Sequence, residues 1–399
     1  MGSLLVGQSG GPTAVINSTI QGVLKEGLKH NSITHLYGAI HGIDGIINEN
    51  FIEITKNTNL EHWDKTPGAI LGSVRLRLKH YPEDAHIYQK ILEVFKKYDI
   101  THFFYCGGND SMDTCNKISK FFETINYKCT VIGLPKTIDN DLVEIDHCPG
   151  YGSAAKIVAT MISEIWHDTN VYKKGRVTIV EIMGRDAGWL TAATHLANST
   201  SSGPDLIYLP EVAFDINKFL NDVKHLYEKK RKVLIAVSEG IIDKDGKYIL
   251  NYQSSLEGDA FGHLQLGGVA SVLANTVNQQ LHLPVRAIEL NLPQRCASHL
   301  ASLTDVTEAK KCGIFGVKQA LKGKTDVMVS MERIDDYKIK YTTKPLGVIA
   351  NQVKCFPIEW IIDGNKISEH YTNYALPLIK GESYPKYNNG LPIFAKIDK

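Results

Sequence analysis

The chain has almost no net charge: 44 Lys and Arg stand against 43 Asp and Glu, leaving +1 over 399 residues. Without a global field it does not gather polyanions, which excludes nucleic acid and anionic membrane as partners of the surface at large. Any cationic function has to be local. Long apolar runs are missing too, none reaching the roughly 18 residues of a membrane span. The amino terminus carries no charged segment ahead of an apolar one and opens directly on strand-like residues, Leu4 to Gly7. A cytoplasmic protein is expected. The seven cysteines are odd in number and none stands in a C-x-x-C pair, so no disulfide framework is legible. Buried free thiols in a reducing compartment are expected instead. There is no G-x-G-x-x-G and no G-x-x-x-x-G-K run, which removes the dinucleotide fingerprint and the P-loop. No fixed-period repeat or low-complexity linker divides the chain.

What is present is alternation. Apolar stripes at helical spacing run through Ile16, Ile20, Val23, Leu24 and Leu28, through Ile87, Ile91, Leu92 and Phe95, through Met112, Cys115, Ile118 and Phe122, and through Ile157, Met161, Ile162 and Ile165. Among them lie short apolar strands: Phe103 to Cys106, Val131 to Leu134, Val177 to Ile182, Leu206 to Leu209 and Val233 to Val237. Such alternation predicts parallel sheet covered on both faces. The expected fold class is α/β, with two doubly wound, mostly parallel three-layer α/β/α domains and the active site in the cleft between them. The length allows two or three domains. The Pro and two Gly in Asp146 to Gly152 suggest a boundary, giving units at 1–145 and 146–300, with 301–399 packing back across both and ending as an extended tail. The stretch Gly262 to Leu281 reads as a Gly-broken turn followed by one helix.

The chemistry concentrates where strands end. Gly133-Leu134-Pro135-Lys136-Thr137-Ile138-Asp139-Asn140-Asp141 places a lysine and two carboxylates directly after an apolar strand. A charge there is costly unless it meets an anion. Asp139 and Asp141, two apart, point the same way if the chain is extended, and crowding raises one pKa. Gly107-Gly108-Asn109-Asp110-Ser111 follows another strand; its amides and oxygens suit an anion or Mg2+, while Ser111 equally suits a helix cap. Gly7-Gln8-Ser9-Gly10-Gly11-Pro12 is either a phosphate-approaching loop or a tight turn. Arg75 and Arg77, beside Gly72 and Ser73, read as phosphate forks or as a solvated pair. Met183-Gly184-Arg185, Ser238-Glu239-Gly240, Arg176, Arg286 and Gln294-Arg295 sit at other strand boundaries. Cations and one acid converging on a cleft describe a sugar-phosphate pocket. The mixture suits transfer of a phosphoryl group to a hydroxyl, with cations on donor oxygens and a carboxylate taking the proton.

These pieces, in this order from Gly7 to about Arg295, resemble the 6-phosphofructokinase family. The resemblance implies phosphoryl transfer to the 1-hydroxyl of fructose 6-phosphate, with Asp139 in the place of the base. It implies sugar-phosphate contacts from Thr137, Ile138, Met183, Gly184, Arg185, Glu239 and Arg295, and from Arg176 and Arg286 across a subunit interface, hence a homodimer or homotetramer. Gly10, Gly11, Arg75 and Gly108 match the donor side, and Asp141 would orient reacting groups. Asp110 and Lys136 are charged where ATP-using members carry glycine, which resembles the pyrophosphate-dependent branch. An acid at 110 repels an α-phosphate: like charges ~4 Å apart cost about 4 kcal/mol at an effective dielectric of 20. The alternatives are an ATP-dependent kinase and a non-catalytic regulatory homologue. Asn109 stands where the family commonly has a metal-binding aspartate, so Asn109 and Asp110 are the expected metal positions for Mg2+. Cys296-Ala297 replaces Gly-Gly after Arg295, and Leu292 replaces an aromatic or histidine that many members present to the sugar phosphate.

Overall fold

The structure, a computed structural model, describes residues 1–252 and 267–397. In chain order the first elements are β1 (Gly2–Gln8), α1 (Ile16–Gly27), β2 (Ile33–Ala39), α2 (Gly42–Ile47), β3 (Phe51–Glu53), α3 (Ala85–Lys97), β4 (Ile100–Gly107), α4 (Asn109–Thr124) and β5 (Thr130–Pro135). Then follow α5 (Tyr151–Asn170), β6 (Arg176–Ile182), α6 (Trp189–Ala192), β7 (Leu206–Tyr208), α7 (Ile216–Lys230), β8 (Lys232–Ser238), α8 (Val269–Leu281) and β9 (Val285–Glu289). The chain closes with α9 (Pro293–Cys296), α10 (Leu303–Ala320), β10 (Val327–Ile334), β11 (Lys338–Pro345) and α11 (Glu369–Ala375).

Two sheets organise these elements. The first has seven strands in the order β11-β10-β5-β4-β1-β2-β3. Its five inner strands are parallel, and β3 and β11 turn back antiparallel at the edges. The second, β7-β8-β6-β9, is parallel throughout. Every residue of β1 is buried, as a central strand with helices on both faces requires. Among the described residues no helix is long and apolar enough to cross a membrane.

The carboxy-terminal quarter is woven into both units. β10 pairs in parallel with β5, Val327 opposite Ile132, and α10 lies against α1. Glycines set that approach. A Cβ on Gly22 would stand 2.2 Å from the Lys310 carbonyl oxygen, and one on Gly313 2.1 Å from that of Thr19. Backbone meets backbone there, so neither side can yield by rotating a side chain. Gly313→Ala is therefore expected to cost about 3 kcal/mol, read as a lowered urea midpoint with an unchanged slope. Farther on, Phe356, Tyr371 and Leu378 enter the core of the second unit.

Several expectations are revised. The last thirty residues are not wholly extended: Glu369–Ala375 is helical and a short helical turn follows at Leu376–Ile379, because Tyr371, Ala375 and Leu378 supply a buried face. Of the stretch read as turn plus helix, α8 is present, covering β6 with Val269, Ala270 and Leu273 buried; residues 262–266 lie outside the described residues. Cys106, Cys115, Cys148 and Cys312 are buried free thiols and Cys129 is partly so, but Cys296 and Cys355 are exposed. Cys296 is the last residue of the four-residue helix α9, and Cys355 lies in the connection after β11.

Candidate active site

One cavity of about 680 Å³ opens between the carboxyl ends of the two sheets. Parallel strands leave their ends bare of side-chain packing there, which is why open α/β sheets place ligands at that edge.

The first sheet supplies the cations. After β1, Gly10 takes a left-handed φ of 73°, and a Cβ on it would lie 3.5 Å from Lys136 Nζ. A Cβ on Gly11 would lie 2.9 Å from Arg295 Nη1. Bare backbone thus lets two cations close on the same turn. Lys136, directly after β5, is buried and donates from Nζ to the Gly11 carbonyl at 2.6 Å. Burial lowers its pKa to about 8, against the pull of Cys106, Asp139 and Asp141. Arg75 and Arg77 reach the cavity from the loop after α2 and β3, where Ser73 Oγ donates to the Gly10 carbonyl at 2.7 Å. α4 begins at Asn109 with Gly108 as its N-cap, so Ser111 sits inside the first turn rather than capping it. Asp110 occupies that turn and lines the cavity.

The acid-bearing loop is not extended. Asn140 has φ 55° and is fixed from both sides: its Nδ2 donates to Tyr374 Oη at 2.9 Å and its Oδ1 accepts from Cys148 N at 2.9 Å. Asp139 and Asp141 flank this corner, and both still line the cavity. Thr137 Oγ1 accepts the Asp139 N–H at 3.1 Å. Burial, then the Asp141 charge and then Glu239 raise Asp139 to about 7, opposed by Lys136 and Arg185. Asp141 is also raised by burial, with Thr137 and Lys354 working the other way.

The second sheet supplies the opposite wall. Met183 N–H donates to Gln294 Oε1 at 3.1 Å, and Gly184 N–H to Glu239 Oε1 at 3.2 Å. Gly184 itself is not part of the wall; it orients Glu239. Burial raises Glu239, against that N–H and against Arg185 and Arg295. Gly240 has to be glycine, since a Cβ would stand 1.8 Å from the Arg185 carbonyl oxygen. Arg185 pairs with Asp186 at 3.0 Å. Arg295, on the short helix α9, faces Arg75, and burial with that like charge lowers its pKa.

Most predicted site residues therefore converge. Three do not line the cavity of their own chain: Gly184, which sits behind Glu239, Arg176, which opens β6, and Arg286 on β9, which pairs with Asp168 at 3.1 Å. Asn109 does line the cavity. Its Oδ1 accepts from Asn351 N at 2.7 Å and its Nδ2 donates to the Gln352 carbonyl, so one of the two Oδ1 lone pairs is already engaged. Asp110 keeps its carboxylate toward the cavity. Among the described residues no three His, Cys, Asp or Glu side chains form a metal cage. Asp110, in the first turn of α4, is a carboxylate that can meet a hard cation carried on phosphate oxygens. Sequence reasoning missed Asp186, Asn351 and Val353 on the wall. Asp186 was signalled by its place after Arg185; the other two come from a distant segment with no local motif.

Cations gathered on bare backbone turns beside a half-buried carboxylate poised near neutrality, in a cleft between two mostly parallel sheets, define a phosphoryl-transfer enzyme. The chain belongs to the phosphofructokinase family, whose profile, described as Phosphofructokinase, matches residues 3–291. The pyrophosphate--fructose 6-phosphate 1-phosphotransferase of Xanthomonas campestris is 40% identical, covering 99% of this chain and 96% of its own. That of Halomonas elongata is 39% identical over 98% and 95%. Among solved structures, the pyrophosphate-dependent phosphofructokinase of Nitrosospira multiformis superposes with a TM-score of 0.89 at 36% identity, covering 99% of this chain and 96% of that one.

Proposed function

We propose that this chain reversibly transfers a phosphoryl group from pyrophosphate to the 1-hydroxyl of fructose 6-phosphate, giving fructose 1,6-bisphosphate and phosphate, in the cytoplasm. The observation that carries this reading is the meeting of Asp110, Lys136 and Asp139 on one cavity wall. The full-length similarity to enzymes named for that reaction supports it.

Asp139 accepts the hydroxyl proton as the oxygen attacks phosphorus in line. Lys136, Arg75 and the amides around Gly10, Gly11 and Gly108 hold donor oxygens and stabilise the charge that develops on them. Asp110 discourages a longer polyphosphate chain. Thr137 and Asp141 fix the Asp139 loop, while Met183, Arg185, Glu239 and Arg295 receive the sugar phosphate. Asp110 would meet Mg2+ arriving with pyrophosphate, and the ion would supply neutralising charge there. Residues 1–145 serve the donor, 146–300 the sugar, and 301–399 bind the two together. In a homodimer or homotetramer, Arg176 and Arg286 extend toward the partner's sugar site.

The deciding test compares donors. With Mg2+ and fructose 6-phosphate, turnover is expected with pyrophosphate and is expected to fall by about 10³ with ATP, as ~4 kcal/mol of repulsion requires. Removing Mg2+ with a chelator should abolish it. Strong turnover with ATP and none with pyrophosphate overturns the reading.

The pH dependence follows from the same groups. Asp139 must be ionised to take a proton, so kcat/KM rises as pH climbs through about 7. Lys136 must stay charged, so the rate falls above about 8. A narrow bell for the free enzyme is expected. Its acid limb belongs to the Asp139–Asp141 pair rather than to either carboxyl alone. A profile flat from pH 6 to 9 would remove both groups from the chemistry.

A further inference from the structure

Residues 351–356 leave the first unit after β11 and cross beside the cavity into the second. Just before it, Leu346 is buried against the α4–β5 layer: a Cβ on Gly133 would meet it at 3.1 Å and the Met112 sulfur at 2.5 Å. Asn351 then donates from its backbone to Asn109 Oδ1 at 2.7 Å and from Nδ2 to Asp113 Oδ1 at 3.1 Å. Asn109 and Asp113 belong to the first turns of α4, on either side of Asp110. At the centre, Lys354 N–H donates to the Asp141 carbonyl at 2.7 Å. Its ammonium donates to the carbonyls of Ile145 at 3.0 Å and Asp146 at 2.9 Å, and lies 5.2 Å from the Trp189 ring centre. At the far end, Trp189 Nε1 donates to the Lys354 carbonyl at 2.9 Å, and Phe356 N–H to Glu211 Oε1 at 2.8 Å.

We propose that this strap sets the spacing between the donor turn of α4 and the acid-bearing loop, and that Lys354 is the positioning residue that compensates the charge of Asp141 and thereby of the Asp139–Asp141 pair. The proposal rests on the phosphoryl-transfer reading above.

Lys354 is half-buried, and an ammonium drawn out of water favours a compensating anion as well as acceptors. Two carboxylates lie near it. Asp146 already pairs with Arg333 at 2.9 Å and His147 at 2.7 Å. Asp141 has a buried oxygen, Oδ1, without a hydrogen-bond partner. Burial lowers the Lys354 pKa, and Cys148, Asp146 and Asp141 resist that. The other charged groups facing the pair are Lys136 on its own loop, Arg185 and Asp186 after β6, Glu239 after β8 and Arg295 on α9. All of these line the cavity, and Lys354 does not.

The test is the kcat/KM profile of pyrophosphate-dependent turnover between pH 5.5 and 9 in wild type, Lys354→Gln and Lys354→Arg. Lys354→Gln keeps a donor and loses the charge. Its acid limb is expected to move up by about one unit, with kcat at pH 7 down about tenfold and both KM values within about threefold of wild type. Lys354→Arg is expected to keep the wild-type limb. A folded Lys354→Gln with an unmoved limb, or both variants sharing one limb, overturns the role of Lys354 and leaves the function standing. Asn351→Ala releases the near end of the strap: KM for pyrophosphate should rise about threefold or more with the acid limb unmoved. A wild-type KM there overturns the strap even if Lys354→Gln fails to fold. A wild type without any pyrophosphate-dependent turnover overturns the function and this inference with it.

Discussion

Asp139→Ala is expected to lower kcat by about 10³ or more while KM for fructose 6-phosphate changes by less than about threefold. General-base transfer alone is worth about 10² to 10⁴. The position explains why the loss should sit at the upper part of that range. Asp139 lines the cavity, its backbone is pinned to Thr137 Oγ1, and burial brings it to about 7, so at neutral pH a large fraction is ionised and able to accept a proton. Asp141 is a poor substitute. Its backbone is tied to Lys354, it keeps one oxygen buried, and Asn140 locks the corner between the two acids. The sugar's phosphate would be held by Arg185 and Arg295 on the opposite wall, which the substitution does not touch. Steady-state kinetics in both directions check this. Activity within tenfold of wild type would mean that Asp139 is not the base.

The second large effect concerns the donor. Asp110→Gly combined with Lys136→Gly should lower kcat/KM for pyrophosphate by about 10³, with Lys136 responsible for most of it, since one preorganised donor to developing charge is worth about 10² to 10³. Lys136 is buried and anchored on Gly11, so solvent cannot take over its charge. Asp110 acts the other way. Removing its carboxylate relieves about 4 kcal/mol of repulsion against a nucleotide's inner phosphate, and ATP turnover should become measurable. Each single variant separates the two contributions. Pyrophosphate kinetics unchanged in the double variant would take both side chains out of the donor site.

The legible part of this site was local. Thr137 to Asp141, Gly107 to Ser111 and Met183 to Arg185 each announce themselves because a strand end, a glycine and a charge fall within a few residues. Side chains spaced that way reach the same edge whatever the remaining chain does. Periodicity placed α1, α3, α4 and α5 for the same reason. What escaped was set by contacts far apart in sequence. Asn109 looked like a weak metal ligand, and only the arrival of Asn351, 242 positions later, shows its amide engaged. Lys354 stands in Val-Lys-Cys-Phe-Pro with nothing beside it to suggest a role. The corner at Asn140 was hidden as well, because its left-handed backbone is held by Tyr374 and Cys148 and not by its neighbours in sequence.

The pairing of β10 with β5 has a consequence for biosynthesis. The first sheet gains its sixth and seventh strands, and α1 its covering helix, only from residues 303–345. On the ribosome, at about 5–20 residues per second, some 200 residues separate β5 from β11, a delay of roughly 10–40 s. During that interval the β5 edge and one flank of α1 stand open in the nascent polypeptide, a template for unwanted pairing. Chaperone occupancy should peak in that window, and translation stalled before α10 should leave a sticky, protease-sensitive intermediate.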